Sequence, residues 1–233
     1  MKVAEIFGPT VQGEGPSCGR RAGFVRLGRC DLACSWCDTP YTWDWKGQNG
    51  TVYDPAVELG EMSVEQVCEA VAVMDVDMVV ITGGEPFVQG RALNDVAVEL
   101  AGAGYWLEVE TNGRHAPWPA LTEAVGAFNV SPKLPNSGQP LALTWRPKSL
   151  EALRQTGKAR FKFVCCDRAD VELVASLTPM VGIPPRLVWV MPEGRSSEVV
   201  QDHLVAVAET AIAYGFNITG RLHVDIWGGQ RAH

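Results

Sequence analysis

The sequence of 233 residues predicts an α/β fold, a partial TIM-like barrel of about six to seven mostly parallel strands with helices outside. Three observations lead there. Short β-branched apolar runs alternate with helix-period segments along most of the chain, the pattern of parallel strands joined by right-handed crossovers. The strand-like runs are too few for a closed barrel of eight. The unusual residues (cysteines, glycine pairs, isolated charges) follow directly after those runs, on the carboxyl-terminal rim where parallel sheets bind ligands.

Residues 3–7 and 24–27 open the chain as strand-like runs, and 41–61 is turn-rich and irregular. Ser63 with Gln66 three residues on reads as a capping box, opening a helix to Met74 with Val64, Val67, Ala70 and Val71 on one face. The β-branched run 78–82 is a buried strand. Helical spacing returns over 91–101 with Leu93, Val96, Ala97 and Leu100, and stops at Gly102 and Gly104. A strand at 105–110, a short helix at 121–125 and a strand at 128–130 follow. Helices at 148–155 and 170–177 alternate with strands at 161–164 and 187–190. Ser197 opens the last long helix, to about Tyr214, and 222–226 reads as a closing strand that carries His223.

The chain reads as one domain, 1–233, with no linker, repeat or charge run to divide it. Its first residues lack the apolar stretch of a signal peptide, and no run approaches the roughly 18 apolar residues of a membrane span. A soluble, cytoplasmic protein without membrane association is expected. A formal net charge of −7 and no basic block make nucleic acid a poor partner. Seven cysteines, an odd number clustered at 30–37 and 165–166, argue for a reducing compartment rather than a disulfide framework.

Cys30-Asp-Leu-Ala-Cys34-Ser-Trp-Cys37 brings three soft sulfur ligands to one tight loop, which suits an iron-sulfur cluster or zinc. Zinc would need a fourth ligand, with Asp31 and Asp38 the nearby candidates. Three thiolates on a four-iron cubane leave one iron open to a small molecule. Thr82-Gly83-Gly84-Glu85-Pro86 reads as a turn that lets a ligand approach the main chain without a Cβ in the way. Glu110 and Asn112 offer a carboxylate and an amide, and Ser131 and Lys133 offer donors. Arg26 lies between apolar Val25 and Leu27, whose side chains point to the opposite face, so Arg26 is expected to point inward. Cys18, Cys68, Cys165 and Cys166 lack cluster spacing. Adjacent strand residues face opposite ways, so Cys165 and Cys166 carry no joint metal role and no auxiliary cluster is expected.

The cysteine loop, with Trp36 before its last cysteine, resembles the signature of radical S-adenosylmethionine (SAM) enzymes. Residues 5–15 before it, and Cys37-Asp38-Thr39-Pro40-Tyr41-Thr42-Trp43 at its end, resemble the 7-carboxy-7-deazaguanine synthase family. The likeness continues to Arg221-Leu222-His223 and Trp227-Gly228. It implies a fold of the radical SAM type and a 4Fe-4S cluster on Cys30, Cys34 and Cys37. SAM would chelate the open iron through its amine and carboxylate and be cleaved by one electron to a 5′-deoxyadenosyl radical. Gly83, Gly84 and Glu85 match the motif that holds the amine, and Ser131 and Lys133 match the carboxylate site. Glu110 and Asn112 fall to the ribose, Trp36 to the adenine, and Asp38 is counted with the cofactor residues.

The implied substrate, 6-carboxy-5,6,7,8-tetrahydropterin, demands recognition of an aminopyrimidine edge and of a carboxylate. Gln12, Gly13 and Glu14 suit the edge, and Arg26 can fork onto the carboxylate. Thr82, His223 and the terminal carboxylate of His233 are further substrate candidates, although the last two residues depart from the family's usual ending. Thr39 matches a magnesium position completed by substrate oxygens and waters. The implied reaction is a ring contraction with loss of ammonia: the 5′-deoxyadenosyl radical would take the hydrogen at the substrate's C6, the substrate radical would rearrange, and hydrogen would return to it from 5′-deoxyadenosine, so that SAM is regenerated. A flavodoxin or ferredoxin reductant and a homodimer complete the expectations. A glycyl-radical activating enzyme and a non-catalytic metal scaffold are the alternative readings.

Overall fold

The computed structural model describes residues 1–232. His233, a substrate candidate through its carboxylate, lies outside the described residues. The strands are β1 (Lys2–Val11), β2 (Arg21–Leu27), β3 (Gly60–Glu61), β4 (Met78–Gly83), β5 (Trp106–Thr111), β6 (Ala127–Val130), β7 (Ala159–Cys165), β8 (Val188–Pro192) and β9 (Asn217–Ile218). The helices are α1 (Pro55–Glu58), α2 (Val64–Ala72), α3 (Arg91–Gly102), α4 (Pro119–Ala124), α5 (Leu141–Thr144), α6 (Pro147–Gln155), α7 (Arg168–Leu177), α8 (Ser197–Ala213) and α9 (Leu222–Trp227).

The strands form one sheet in the order β3-β1-β2-β4-β5-β6-β7-β8-β9. Every pairing from β2 to β9 is parallel, which gives seven parallel strands. The edges β3 and β9 do not meet, so the barrel stays open as expected. β1 runs antiparallel to β2 and reaches Val11, with register shifts between Val3 and Glu5 and between Phe7 and Thr10.

Local chemistry explains the element boundaries. The capping box at α2 is complete: Gln66 N–H donates to Ser63 Oγ at 3.2 Å, and Ser63 N–H to Gln66 Oε1 at 2.8 Å. Asp167 caps α7, and Ser196 rather than Ser197 caps α8. The segment 222–226 is a helix, not the strand its alternating Leu222, Val224 and Ile226 suggest. Pairing to β8 ends where Thr219 N–H reaches the Val190 carbonyl, and past Gly220 the Asp225 N–H bonds back to the Arg221 carbonyl. Tertiary contacts of Arg221 override a strand-like period here.

Alternation along the strands sorts the chemistry. One face buries Val79, Ile81, Leu107, Val109, Phe128, Val130, Phe161 and Phe163 against Leu93 and Leu100 of α3, Leu150 of α6, Val171 of α7 and Val207 of α8. The other face is concave. Ala22, Phe24, Met78 and Val80 pack at its base. Glu108, Asn129 and Lys162 are buried polar residues interleaved with the core positions. No described helix is long and apolar enough to cross a membrane.

Phe161 is fully buried in the main core. Phe161→Ala is expected to lower unfolding free energy by about 3–5 kcal/mol, read from the urea midpoint at constant m-value.

Candidate functional site

At the end of β4 the backbone runs against the start of the cysteine loop. Gly84 N–H donates to the Leu27 carbonyl at 3.0 Å and Glu85 N–H to the Arg29 carbonyl at 2.8 Å. A Cβ on Gly83 would sit 2.1 Å from the Leu27 oxygen, and one on Gly84 would sit 2.0 Å from the Arg29 oxygen. The glycines therefore first admit the chain's own cysteine loop, and beyond that they line the cavity. The loop is held on its other sides by Arg29 N–H to the Thr42 carbonyl (2.7 Å), Ser35 N–H to the Ser137 carbonyl (2.9 Å) and Gln139 Nε2 to the Ala33 carbonyl (2.7 Å).

Cys30, Cys34 and Cys37 all line the cavity, which contains no fourth cysteine among the described residues. Leu32 N–H donates to Cys30 Sγ at 3.4 Å and Trp43 Nε1–H to Cys37 Sγ at 3.3 Å. Burial pushes all three thiols up, so they keep their protons until a metal displaces them. Three thiols, two of them with N–H donors to sulfur, beside a glycine pair and with no fourth thiol among the described lining residues, fit a cluster that keeps one open iron. Asp31 anchors the loop, accepting from Arg114 Nη1 at 2.5 Å and Asn112 Nδ2 at 2.7 Å, with His115 Nε2 at 2.8 Å.

Glu85 does not reach the cavity. Its fully buried carboxylate accepts from Phe87 N–H (3.1 Å), Thr111 Oγ1–H (2.8 Å) and Asn112 N–H (2.7 Å), so it joins the end of β4 to the loop after β5. Burial raises it to about 7 against those hydrogen bonds, with Asp31 adding to the rise. Ser131 and Lys133 line the cavity together, with Lys133 Nζ donating to Ser131 Oγ at 2.8 Å. Lys133 also stands 5.5 Å from the centre of the Trp36 ring. Thr39 lines the same region, its Oγ1 3.7 Å from Cys37 Sγ.

The opposite wall is a network of buried charge. Glu14 pairs with Lys162, with Arg221 Nε at 3.0 Å and with His223 Nε2 at 3.8 Å. Burial works against its ionisation, yet Lys162 and Arg221 hold it well below the usual carboxylate range. Arg221 also donates to Asp38 Oδ2 at 2.5 Å and to the Gly194 carbonyl at 2.5 Å. Gln12 is pinned at both ends of its amide, by Glu110 Oε1 (3.1 Å) and by Glu14 N–H (3.2 Å). Thr82 Oγ1–H donates to Glu110 Oε2 at 2.7 Å, so Glu110 joins Gln12 and Thr82. Gly13 is a close approach, since a Cβ there would lie 2.0 Å from His223 Nδ1. Burial lowers His223, with Glu14 opposing, so the ring is neutral at pH 7. Arg26 points into the cavity as expected and pairs with Glu5 at 3.0 Å.

Lys162, Arg221 and Asn129 line the cavity without having been singled out from sequence. Lys162 sits between Phe161 and Phe163, the same alternation that placed Arg26, and was legible on that signal. Asn129 is oriented by Nδ2–H donation to Glu108 Oε2 at 2.8 Å.

Glu85 has a folded-state value above the unfolded carboxylate's 4.5, so the native state binds the extra proton between the two values and stability falls as pH rises from about 4.5 to 7. Glu85→Gln is expected to flatten that part of the profile and to cost about 1–3 kcal/mol at pH 5, since its NH₂ has no lone pair for the donor it faces, whereas both oxygens of the protonated carboxyl can still accept. Urea midpoints at pH 5 and pH 7 measure both effects.

A family model described as a 4Fe-4S single cluster domain matches residues 11–106. The 7-carboxy-7-deazaguanine synthase of Pyrobaculum aerophilum is 38% identical over 99% of this chain and 96% of its own length. That of Hyperthermus butylicus is 34% identical over 96% of this chain and 92% of its own. The crystal structure of QueE from Escherichia coli superposes with a TM-score of 0.72 at 25% identity, covering 95% of this chain and 94% of that one. With likeness of this extent along nearly its whole length, the chain belongs to the 7-carboxy-7-deazaguanine synthase family.

Proposed function

We propose that this chain is a radical SAM lyase that converts 6-carboxy-5,6,7,8-tetrahydropterin to 7-carboxy-7-deazaguanine with loss of ammonia, in 7-deazapurine biosynthesis. The observation that carries the reading is the meeting, in one cavity, of three thiols and a glycine pair with a wall of buried, mutually paired charges. The cluster, when bound, supplies the electron that cleaves SAM and so starts radical chemistry.

The chain's own residues bind, orient and exclude water. Cys30, Cys34 and Cys37 would hold the cluster. Gly83 and Gly84 leave room beside it for the SAM amine, and Ser131 with Lys133 would take its carboxylate. Trp36 and Asn112 stand along the same side, although both ends of the Asn112 amide are engaged, Nδ2 donating to Asp31 and Oδ1 accepting from Arg114 N–H at 2.9 Å. Asp38, tied to Arg221, bridges the cofactor side to the substrate side.

On the substrate side, Glu14 would accept two adjacent N–H groups of the aminopyrimidine edge, with Gln12 beside it. Those groups already satisfy one another, so the substrate must exchange for Lys162 or Arg221 as a partner. Arg26 would fork onto the substrate carboxylate, with Glu5 holding the guanidinium in place. Thr82 and Glu110 form one hydrogen-bonded unit along that side, and neutral His223 closes over Gly13. Thr39 would give one oxygen to a magnesium ion that relies on substrate oxygens and waters for the rest. A flavodoxin or ferredoxin donor, a cytoplasmic location and a homodimer complete the proposal.

Protein reconstituted anaerobically with iron and sulfide is to be given SAM, magnesium, a reductant and the tetrahydropterin, and its products followed by mass spectrometry. Formation of 7-carboxy-7-deazaguanine with little net loss of SAM is the expected result. SAM cleavage with the pterin intact would remove the substrate assignment and keep the cofactor site. Cys30→Ala is expected to abolish both cluster uptake and SAM cleavage. Lys162→Met is expected to lower kcat/KM about 100-fold, or about 2.7 kcal/mol, while SAM binding is unchanged by calorimetry. Thr39→Ala is expected to retain SAM cleavage and lose the response of product formation to added magnesium.

A further inference from the structure

Away from the cysteine loop, on the rim between β7 and β8, three potential metal ligands converge. Cys166, Glu193 and His203 each offer one ligand atom, and those atoms lie within 4.8 Å of one another. The sheet brings two of them together: Cys165 pairs with Pro192 in register, and Glu193 N–H donates to the Cys165 carbonyl at 3.0 Å, so the next residue of each strand end is a neighbour. His203 is contributed by α8. Its Nδ1–H donates to the Glu193 carbonyl at 2.7 Å and lies 3.7 Å from Glu193 Oε2, which leaves the lone pair on Nε2. A ligand histidine commonly gives its other nitrogen to a backbone carbonyl in this way.

The surroundings favour a cation. Asp170 Oδ2 accepts from Cys166 N–H at 2.8 Å, and its partner on the other side is the uncharged Asn136 amide at 2.7 Å. Among the described residues neither Glu193 nor Asp170 is in an ion pair with a lysine or arginine. Burial, with Asp170, Glu193 and Asp167 adding, pushes the Cys166 thiol up to about 11, a proton that a metal ion would displace. Sulfur, imidazole nitrogen and carboxylate oxygen together suit a borderline divalent ion and not magnesium or calcium, which want oxygen alone. Zinc distances place bound ligand atoms about 3.5 Å apart, so binding requires the side chains to draw together by rotation, the His203 ring presenting Nε2.

We propose that Cys166, Glu193 and His203 form a second metal site, for a borderline divalent transition-metal ion such as Zn²⁺, with water completing the coordination. Its role is to fasten the cavity wall. Glu193 also lines the cavity, the Gly194 carbonyl accepts from Arg221, and Arg195 donates to the Cys37 carbonyl. An ion on Glu193 thus fixes the loop that joins the charged wall to the cysteine loop, and ties β7, β8 and α8 at one point.

The test uses cluster-loaded protein exposed to zinc sulfate and desalted, with iron and zinc counted by mass spectrometry and the zinc environment read by X-ray absorption. The expected result is about one zinc per chain beside the full iron complement, with one sulfur neighbour at about 2.3 Å. Cys166→Ser and His203→Ala are each expected to lower retained zinc at least about tenfold with iron content unchanged. Wild-type protein that retains less than about a tenth of an equivalent, or variants that retain as much as wild type, would overturn the site. Iron uptake is counted separately, so a failure of the cluster reading does not pass for a failure of this one.

Discussion

The site depends on one close passage of backbone, where Gly83 and Gly84 at the end of β4 lie against Leu27 and Arg29. A side chain at either glycine would occupy the position of a carbonyl oxygen, and the cysteine loop would have to leave the sheet. That contact sets where the three thiols stand relative to the strand ends. Glu85 continues it, binding three donors from its own turn and the loop after β5, while Asp31 is gripped by Arg114, His115 and Asn112. The thiol side is therefore held by hydrogen bonds to main chain and by one partly buried ion-pair network.

The opposite wall solves a different problem. Buried charges are costly to desolvate unless each has a partner, and here Glu14, Lys162 and Arg221 satisfy one another, with half-exposed Asp38 on the outer side of Arg221. The arrangement keeps a carboxylate ionised inside the barrel and holds several donors and acceptors in fixed geometry before any ligand arrives. Glu5 does the same for Arg26, and also for Tyr41 and Arg231. A ligand with a hydrogen-bonding edge and a carboxylate gains contacts only by replacing partners already present, which favours a solute that matches the whole set over one that matches part of it.

Much of this was legible in the sequence. Alternation in β2 was enough to turn Arg26 inward, and the same rule applied to Phe161-Lys162-Phe163 would have found Lys162. The capping box at Ser63 and six of the seven parallel strands, all but β9, followed from local chemistry and period. What failed was tertiary. Residues 222–226 alternate like a strand, but Arg221 is drawn across to Glu14 and Asp38 and the chain turns into α9. Glu85 sits in a motif that suggests a ligand, and only the positions of Phe87, Thr111 and Asn112 reveal that it serves the backbone. The grouping of Cys166 with Glu193 and His203 spans three separate elements, and no spacing rule joins them.

The two halves of the cavity also differ in the sequence distance over which they close. The thiol loop meets Gly83 and Gly84 about fifty residues downstream. The charged wall instead joins Gly15 N–H to Thr219 Oγ1 at 2.9 Å, Leu222 N–H to the Gly13 carbonyl at 2.9 Å and Glu14 to Arg221, contacts that each span more than 200 residues. A chain emerging amino terminus first can seat the thiol loop against β4 and then fasten it with Asn112, Arg114, Ser137 and Gln139 while its distal wall has yet to be synthesised. Residues 219–223, the last of the site to be made, convert an open cleft into a selective chamber.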